Sequence, residues 1–301
     1  MTVRPRRSVL YMPGSNPRAM EKARELPADG LILDLEDAVA PEAKAQARDA
    51  VVKALKQGFG DREVLVRING LDTRWWVDDI DAAASARPDA VLVPKVSSPR
   101  QLQDLAARLV DMGTDPHVRV WAMTETPLAV LNVRDIAAAA LDSETRLAGF
   151  VMGTNDLAKD TRARLVPGRA PMVPWLMNCL AAARAYGLDI LDGVYNDLGN
   201  AEGFAEECRQ ARDLGFDGKT LIHPRQIEPC NQAFSPTPEE VEAARKIIAV
   251  FDLPENENKG VIQIDGRMVE RLHAEMARHT VAIADAIAKS KQQQQPAASV
   301  A

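Results

Sequence analysis

The chain has little of what would commit it to several classes of function. Only three cysteines occur in 301 residues, Cys179, Cys208 and Cys230, and no two of them form a CxxC pair. That leaves no disulfide framework and no Cys cluster for zinc, so the thiols read as reduced, packed as small apolar side chains in a cytoplasmic protein. No run of about 18 apolar residues exists, and the basic start MTVRPRRS has no apolar segment behind it. Neither membrane insertion nor secretion is expected. The net charge of −6 comes without long blocks of either sign, which removes the electrostatic reason to expect nucleic acid or an anionic membrane as partner. Small molecules and further copies of the chain are left as partners.

What is present is an eight-fold alternation. Short apolar runs recur as SVLYM, LILDL, VLVRI, AVLVP, RVWAM, GFVMG, DIL and KTLI, and a polar or ionisable group follows nearly every one. In chain order these are Gly14 and Ser15, Glu36, Arg67 and Asn69, Lys95, Glu125, Asp156, Asp192 and His223. Segments of helical period lie between the runs, opened by Asn16–Pro17 and Pro41 and then covering 75–86, 99–110, 126–140, 173–186 and 201–214. Alternation of this kind implies parallel strands with right-handed crossovers, and functional groups behind nearly all of the eight runs imply a closed (β/α)₈ TIM barrel of the α/β class. The barrel is expected over 1–235.

After His223 and Pro224 the pattern changes. SPTPEEVEAARKIIAVF reads as a helix over 238–251, PENENKG as a polar loop, VIQIDG as an extended piece, and RMVERLHAEMARHTVAIADAIAKS as one long amphipathic helix. Residues 236–290 therefore form a C-terminal helical extension, a lid or oligomerisation segment, and 291–301 a low-complexity disordered tail.

The chemistry is expected at the strand ends, where eight loops converge. Glu125 and Asp156 close neighbouring strands about 4.8 Å apart, close enough to share one ion with oxygen ligands at about 2.1 Å. Two protein carboxylates suit Mg²⁺, leaving about four octahedral positions for water and a chelating substrate. The alternative is that both acids only cap the helices that follow them. Arg67 presents a fixed fork to a carboxylate or enolate oxygen, or else pairs internally with Glu36 or Asp37. Of the acids in LILDLEDAV, one is expected to order Arg67 and another to hold metal-bound water. Lys95 is a further substrate contact. A lone His223 reads as structural, and Asp192 as a structural cap.

These segments together, LYMPGSNPRAMEKA, LILDLEDAVAPEAKAQAR, VLVRIN, VLVPKV, the ET of WAMTETP, GTNDLA, DGKTLIHPRQI and VIQIDGRMVE, resemble the HpcH/HpaI aldolase superfamily over about residues 6–288. Within it they are similar to the citrate lyase β-subunit and malyl-CoA lyase branch. The resemblance implies a magnesium-dependent enzyme acting on an acyl-CoA thioester, with Mg²⁺ on Glu125 and Asp156 and Arg67 on the substrate. It also implies trimers or dimers of trimers whose C-terminal segment closes over a neighbouring subunit. Where lyases of the branch carry Asp in that segment, this chain has Glu270. VERLH and GTNDLAK are more similar to members that hydrolyse malyl-CoA.

Three functional readings follow. The first is a Mg²⁺-dependent carbon–carbon lyase, in which Arg67 stabilises an enolate and Glu270 protonates it, with Glu36 also in the catalytic set. The second is a (3S)-malyl-CoA-type thioesterase using the same residues. The third is a β-like subunit active only in a complex with an acyl-carrier protein.

Overall fold

Eight parallel strands close into a barrel in strict sequence order, each paired with its chain neighbour and β8 returning to β1. The computed structural model describes residues 4–294. The strands are β1 (Ser8–Pro13), β2 (Gly30–Asp34), β3 (Glu63–Arg67), β4 (Ala90–Val93), β5 (Arg119–Thr124), β6 (Leu147–Met152), β7 (Asp189–Asp192) and β8 (Gly218–Leu221). Residues of period two point inward and fill the barrel with Val9, Ile32, Leu65, Leu92, Trp121, Met123, Val151 and Leu191. Their neighbours point outward and pack a larger apolar layer against the helices.

Helices α1 (Pro17–Ala23), α2 (Lys44–Gln57), α3 (Trp76–Ala86) and α4 (Pro99–Asp111) follow the first four strands. The expected helix over 126–140 is broken in two, α5 (Pro127–Leu131) and α6 (Val133–Ala138), at Asn132. Asn132 turns its side-chain amide to the carbonyl of Ser97, a local bond that competes with helix continuation. Then come α7 (Thr154–Thr161), α8 (Val173–Ala185), α9 (Ala201–Leu214) and α10 (Ile227–Phe234). Arg6–Phe234 make one compact unit, and a second begins at Ser235.

The second unit holds α11 (Pro238–Phe251), β9 (Val261–Ile264), β10 (Arg267–Glu270) and α12 (Arg271–Gln294). Thr237 and Glu240 cap α11 reciprocally, each side chain accepting the other's backbone N–H. Residues 267–270 are not helical as the sequence pattern suggests. Asp265 and Gly266 both take positive φ, 50° and 79°, and fold VIQI back on RMVE as an antiparallel hairpin. Ile262 and Val269 from its two strands pack with Phe251 and Ala274. The expected tail of 291–301 starts inside α12, which runs to Gln294, and the rest of it lies outside the described residues. No helix among the described residues is long and apolar enough to cross a membrane.

Candidate active site at the barrel mouth

Asp34 closes β2 and Arg67 closes β3, in register with each other. Both are buried. The Arg67 Nε and Nη2 each donate at 2.7 Å to one oxygen of the Asp34 carboxylate, a bidentate pair that fixes the guanidinium plane. Burial alone would raise the Asp34 pKa, but the charge and hydrogen bonds of Arg67 outweigh it and hold the carboxyl below its usual value. Asp34 also caps its own turn, accepting from the backbone of Glu36 and Ala38. It is thus the acid that orders Arg67.

Glu36 is buried and faces two cations. One oxygen takes the Lys95 ammonium, and Oε2 lies 3.0 Å from Arg67 Nη1 without hydrogen-bond geometry, so it has no hydrogen-bond partner. Burial pushes the Glu36 carboxyl up, against the pull of Arg67 and Lys95. Asp37 stands mostly exposed at 3.8 Å from Arg67 and is peripheral.

Lys95 follows β4 in the left-handed region, φ 55°. That turn aims its backbone N–H at Glu125 Oε1, 2.7 Å away, while its side chain reaches Glu36. One residue thereby ties together two of the expected site carboxylates.

Glu125 lies just past β5 and is 1% exposed. It does not cap α5; Thr126 does that, accepting from Ala129 N–H. Nor is Asp156 a cap, since α7 starts from Gly153 without a side-chain cap and Asp156 sits in its first turn. Asp156 instead bonds Lys159 at 2.7 Å, an exposed i,i+3 pair. Gly153 lies so close to Glu125 that a Cβ there would collide with the carboxylate, so the β6 end is shaped around this acid. Burial, then the charge of Glu36, and further the charge of Asp156, push the Glu125 carboxyl up to about 8.

The charges at the mouth do not balance. Arg67 and Lys95 answer Asp34 and Glu36, and Glu125 is a buried surplus with Asp156 within electrostatic reach. A divalent cation between Glu125 and Asp156 would remove that surplus. Among the described residues no group of three or more His, Cys, Asp or Glu side chains gathers as a metal centre, so a two-carboxylate site with open positions is the only kind these donors offer.

The other expected residues make different contacts. Glu270 ends β10, exposed in the second unit, and its N–H donates to His273 Nδ1 at 2.9 Å. His223 caps a short helical turn, its Nδ1 accepting from Arg225 N–H, which is a structural role. Asp192 is fully buried in ion pairs with Arg169 and Lys219 at 2.7 Å. One mouth residue escaped the sequence reading. Tyr11, from β1, lies with its ring 4.9 Å from the Arg67 guanidinium.

Fold and site define a (β/α)₈ barrel with an acid-rich, cation-accepting mouth. Residues 7–224 match the family model of HpcH/HpaI aldolase/citrate lyase. The (3S)-malyl-CoA thioesterase of Cereibacter sphaeroides strain KD131 is 50% identical over 285 residues, covering 94% of this chain and 96% of that protein. Citrate lyase subunit beta of Escherichia coli K12 is 34% identical over 273 residues, 89% of each chain. Among solved structures, the CitE protein of Mycobacterium tuberculosis in complex with magnesium, acetoacetate and coenzyme A superposes with a TM-score of 0.73 at 29% identity, covering 93% of this chain and 98% of that one. The chain belongs to the HpcH/HpaI aldolase/citrate lyase family.

Proposed function

We propose that the protein hydrolyses the thioester of a (3S)-malyl-CoA-type 3-hydroxyacyl-CoA, with Mg²⁺ held by Glu125 and Asp156. The observation that carries this is the 50% identity, across nearly the whole of both chains, to (3S)-malyl-CoA thioesterases. The carbon–carbon lyase reading, placed first from sequence, takes second place because the citrate lyase β relatives share only 34%. The third reading, a subunit serving an acyl-carrier protein, leans on those same more distant relatives.

The donor set fits the metal. Two hard carboxylate oxygens, one of them desolvated and carrying uncompensated charge, suit a small oxygen-seeking dication. When bound, Mg²⁺ would supply positive charge for the substrate's carboxylate and hydroxyl and fix their orientation. The remaining work falls to the chain. Arg67, held planar by Asp34, offers Nη1 to an acyl oxygen. Glu36 Oε2, which has no hydrogen-bond partner, accepts a proton from water as the water oxygen bonds to the thioester carbon. The C–S bond then breaks, and the leaving sulfur takes the electron pair and that proton. Lys95 holds Glu36 in place, leaving substrate binding as its lesser part.

Glu270 is proposed to act from a neighbouring subunit of a trimer or dimer of trimers, with residues 236–290 as the closing segment. Its side chain is exposed, and so are Met268, Leu272 and Met276 on the same hairpin and helix. In carbon–carbon cleavage it would be the proton donor to the enolate, and its reach would set the path taken.

The deciding experiment gives purified protein (3S)-malyl-CoA and follows free thiol and glyoxylate together. Thiol and malate without glyoxylate are expected, with Glu270→Asp raising the glyoxylate share. Acetyl-CoA and glyoxylate as the main wild-type products would replace the thioesterase reading with the lyase. An isolated chain inert on CoA esters would favour the subunit reading.

A further inference from the structure

Tyr11 stands at an inward position of β1, half-buried and one pleat above Val9. Its hydroxyl reaches across the barrel to Met123 on β5, four strands away in the closed ring and so on the opposite wall. There it meets only the thioether Sδ, at 4.0 Å. Arg67 Nη1, which also lies 3.0 Å from Glu36 Oε2 without hydrogen-bond geometry, comes to the same sulfur at 3.9 Å. Two good donors from β1 and β3 thus converge on one poor acceptor, since a thioether binds hydrogen weakly. The stack of Arg67 on the Tyr11 ring fixes the two donors relative to each other.

Resting on the thioesterase reading above, we infer that Tyr11 is a catalytic residue, its hydroxyl and Arg67 Nη1 forming a two-donor cradle for the thioester carbonyl oxygen. That oxygen fits the cradle because it gains charge during the reaction. As water adds, the C=O π pair moves onto oxygen; it returns when the C–S bond breaks and sulfur leaves with its pair. Donors preset at that point strengthen as charge develops. Burial, with further help from the charges of Asp34, Glu125 and Glu36, raises the Tyr11 pKa despite Arg67, so the phenol keeps its proton and acts only as a donor. In carbon–carbon cleavage the same oxygen carries the enolate charge. The cradle therefore serves either product outcome, and its test does not depend on which one the wild type shows.

Tyr11→Phe keeps the ring beneath Arg67 and deletes the hydroxyl. Turnover of malyl-CoA should fall by about 10²-fold, the usual effect of losing one such donor. KM should change little, and the melting temperature should hold. Affinity for a thioether analogue in which CH₂ replaces the thioester carbonyl should be equal in wild type and variant, because that ligand has no oxygen for the cradle. A kcat within twofold of wild type overturns the inference, and so does an equal loss of affinity for the analogue, which would mark a packing role. If Tyr11→Phe does not fold, 3-fluorotyrosine at position 11 preserves shape and strengthens the donor. It should shift kcat at unchanged melting temperature, and an unchanged kcat overturns the inference.

Discussion

Two buried charge clusters occur in the barrel unit, one at β7 and β8 and one at β2 to β6, and they differ in one respect. At β7 and β8, Asp192 and Glu207 each face both Lys219 and Arg169 at 2.6–3.5 Å, two acids to two bases. Gln210 adds a hydrogen bond to Arg169, leaving one guanidinium nitrogen without a partner. At β2 to β6, Asp34, Arg67, Glu36 and Lys95 are paired as well, but Glu125 brings a further carboxylate with no cation of its own. The burial is alike and the electrostatics are opposite. Lys219 and Arg169 overcome burial and lower the Asp192 pKa, whereas burial and Glu36 push Glu125 up to about 8. A balanced buried network serves the fold, while one short of a positive charge stands ready for a ligand that brings it.

The largest expected effect comes from removing the surplus. Glu125→Gln should abolish turnover, exceeding the roughly 10–100-fold cost of losing a mere support of a metal ligand, while the metal-free protein becomes more stable. The sign follows from linkage. A carboxyl whose folded pKa, about 8, exceeds the reference 4.5 binds more protons folded than unfolded, so stability falls as pH rises through that window. Between those limits metal-free wild type should lose roughly 3–5 kcal/mol from this group. Glu36, also raised, adds the same sign. Denaturant melts in EDTA from pH 5 to 8 test this: the slope should flatten in Glu125→Gln and in wild type given Mg²⁺. An equal slope in all three would place the surplus charge elsewhere.

Breaking the balanced cluster should do the reverse. Asp192→Ala leaves Arg169 and Lys219 facing Glu207 alone, an uncompensated buried cation worth about 3–5 kcal/mol of stability. Protein that stays folded should turn over malyl-CoA within about twofold of wild type. Loss of turnover at unchanged stability would mean that this cluster also belongs to the reacting site.

How far each cluster could be read from sequence follows from the same physics. Barrel strands are short apolar runs with a polar residue at or just past the end, so Arg67, Glu125 and Asp156 stood out by position alone. Tyr11 did not, because it lies within such a run and side-chain reach across a barrel leaves no trace in local spacing; for the same reason spacing did not choose Asp34 among the acids of LILDLEDAV as the one that orders Arg67. Arg169 sits in an irregular turn between α7 and α8, and only folding brings it to Asp192. The hairpin at 261–270 was legible through Asp265–Gly266, a pair suited to two positive φ values, yet the helical period of RMVERLH masked it. Left-handed Lys95 had no such marker, since the residue that favours that turn is glycine.

That left-handed turn gives the smallest and sharpest test of the comparison. Lys95→Ala and Lys95→Gly both delete the ammonium that answers Glu36, so their difference isolates the backbone. A Cβ in the left-handed region costs about 1–2 kcal/mol, and the extra freedom of an unfolded glycine offsets about 0.4–1 kcal/mol. The glycine variant should therefore be the more stable by roughly 0.5–1 kcal/mol. It should also keep more turnover, because the turn that aims the N–H at Glu125 Oε1 survives without strain. Denaturation midpoints and kcat measured on the pair decide it. If alanine matches or exceeds glycine in both, the peptide at position 95 relaxes when the side chain is lost, and the left-handed turn is not what anchors Glu125.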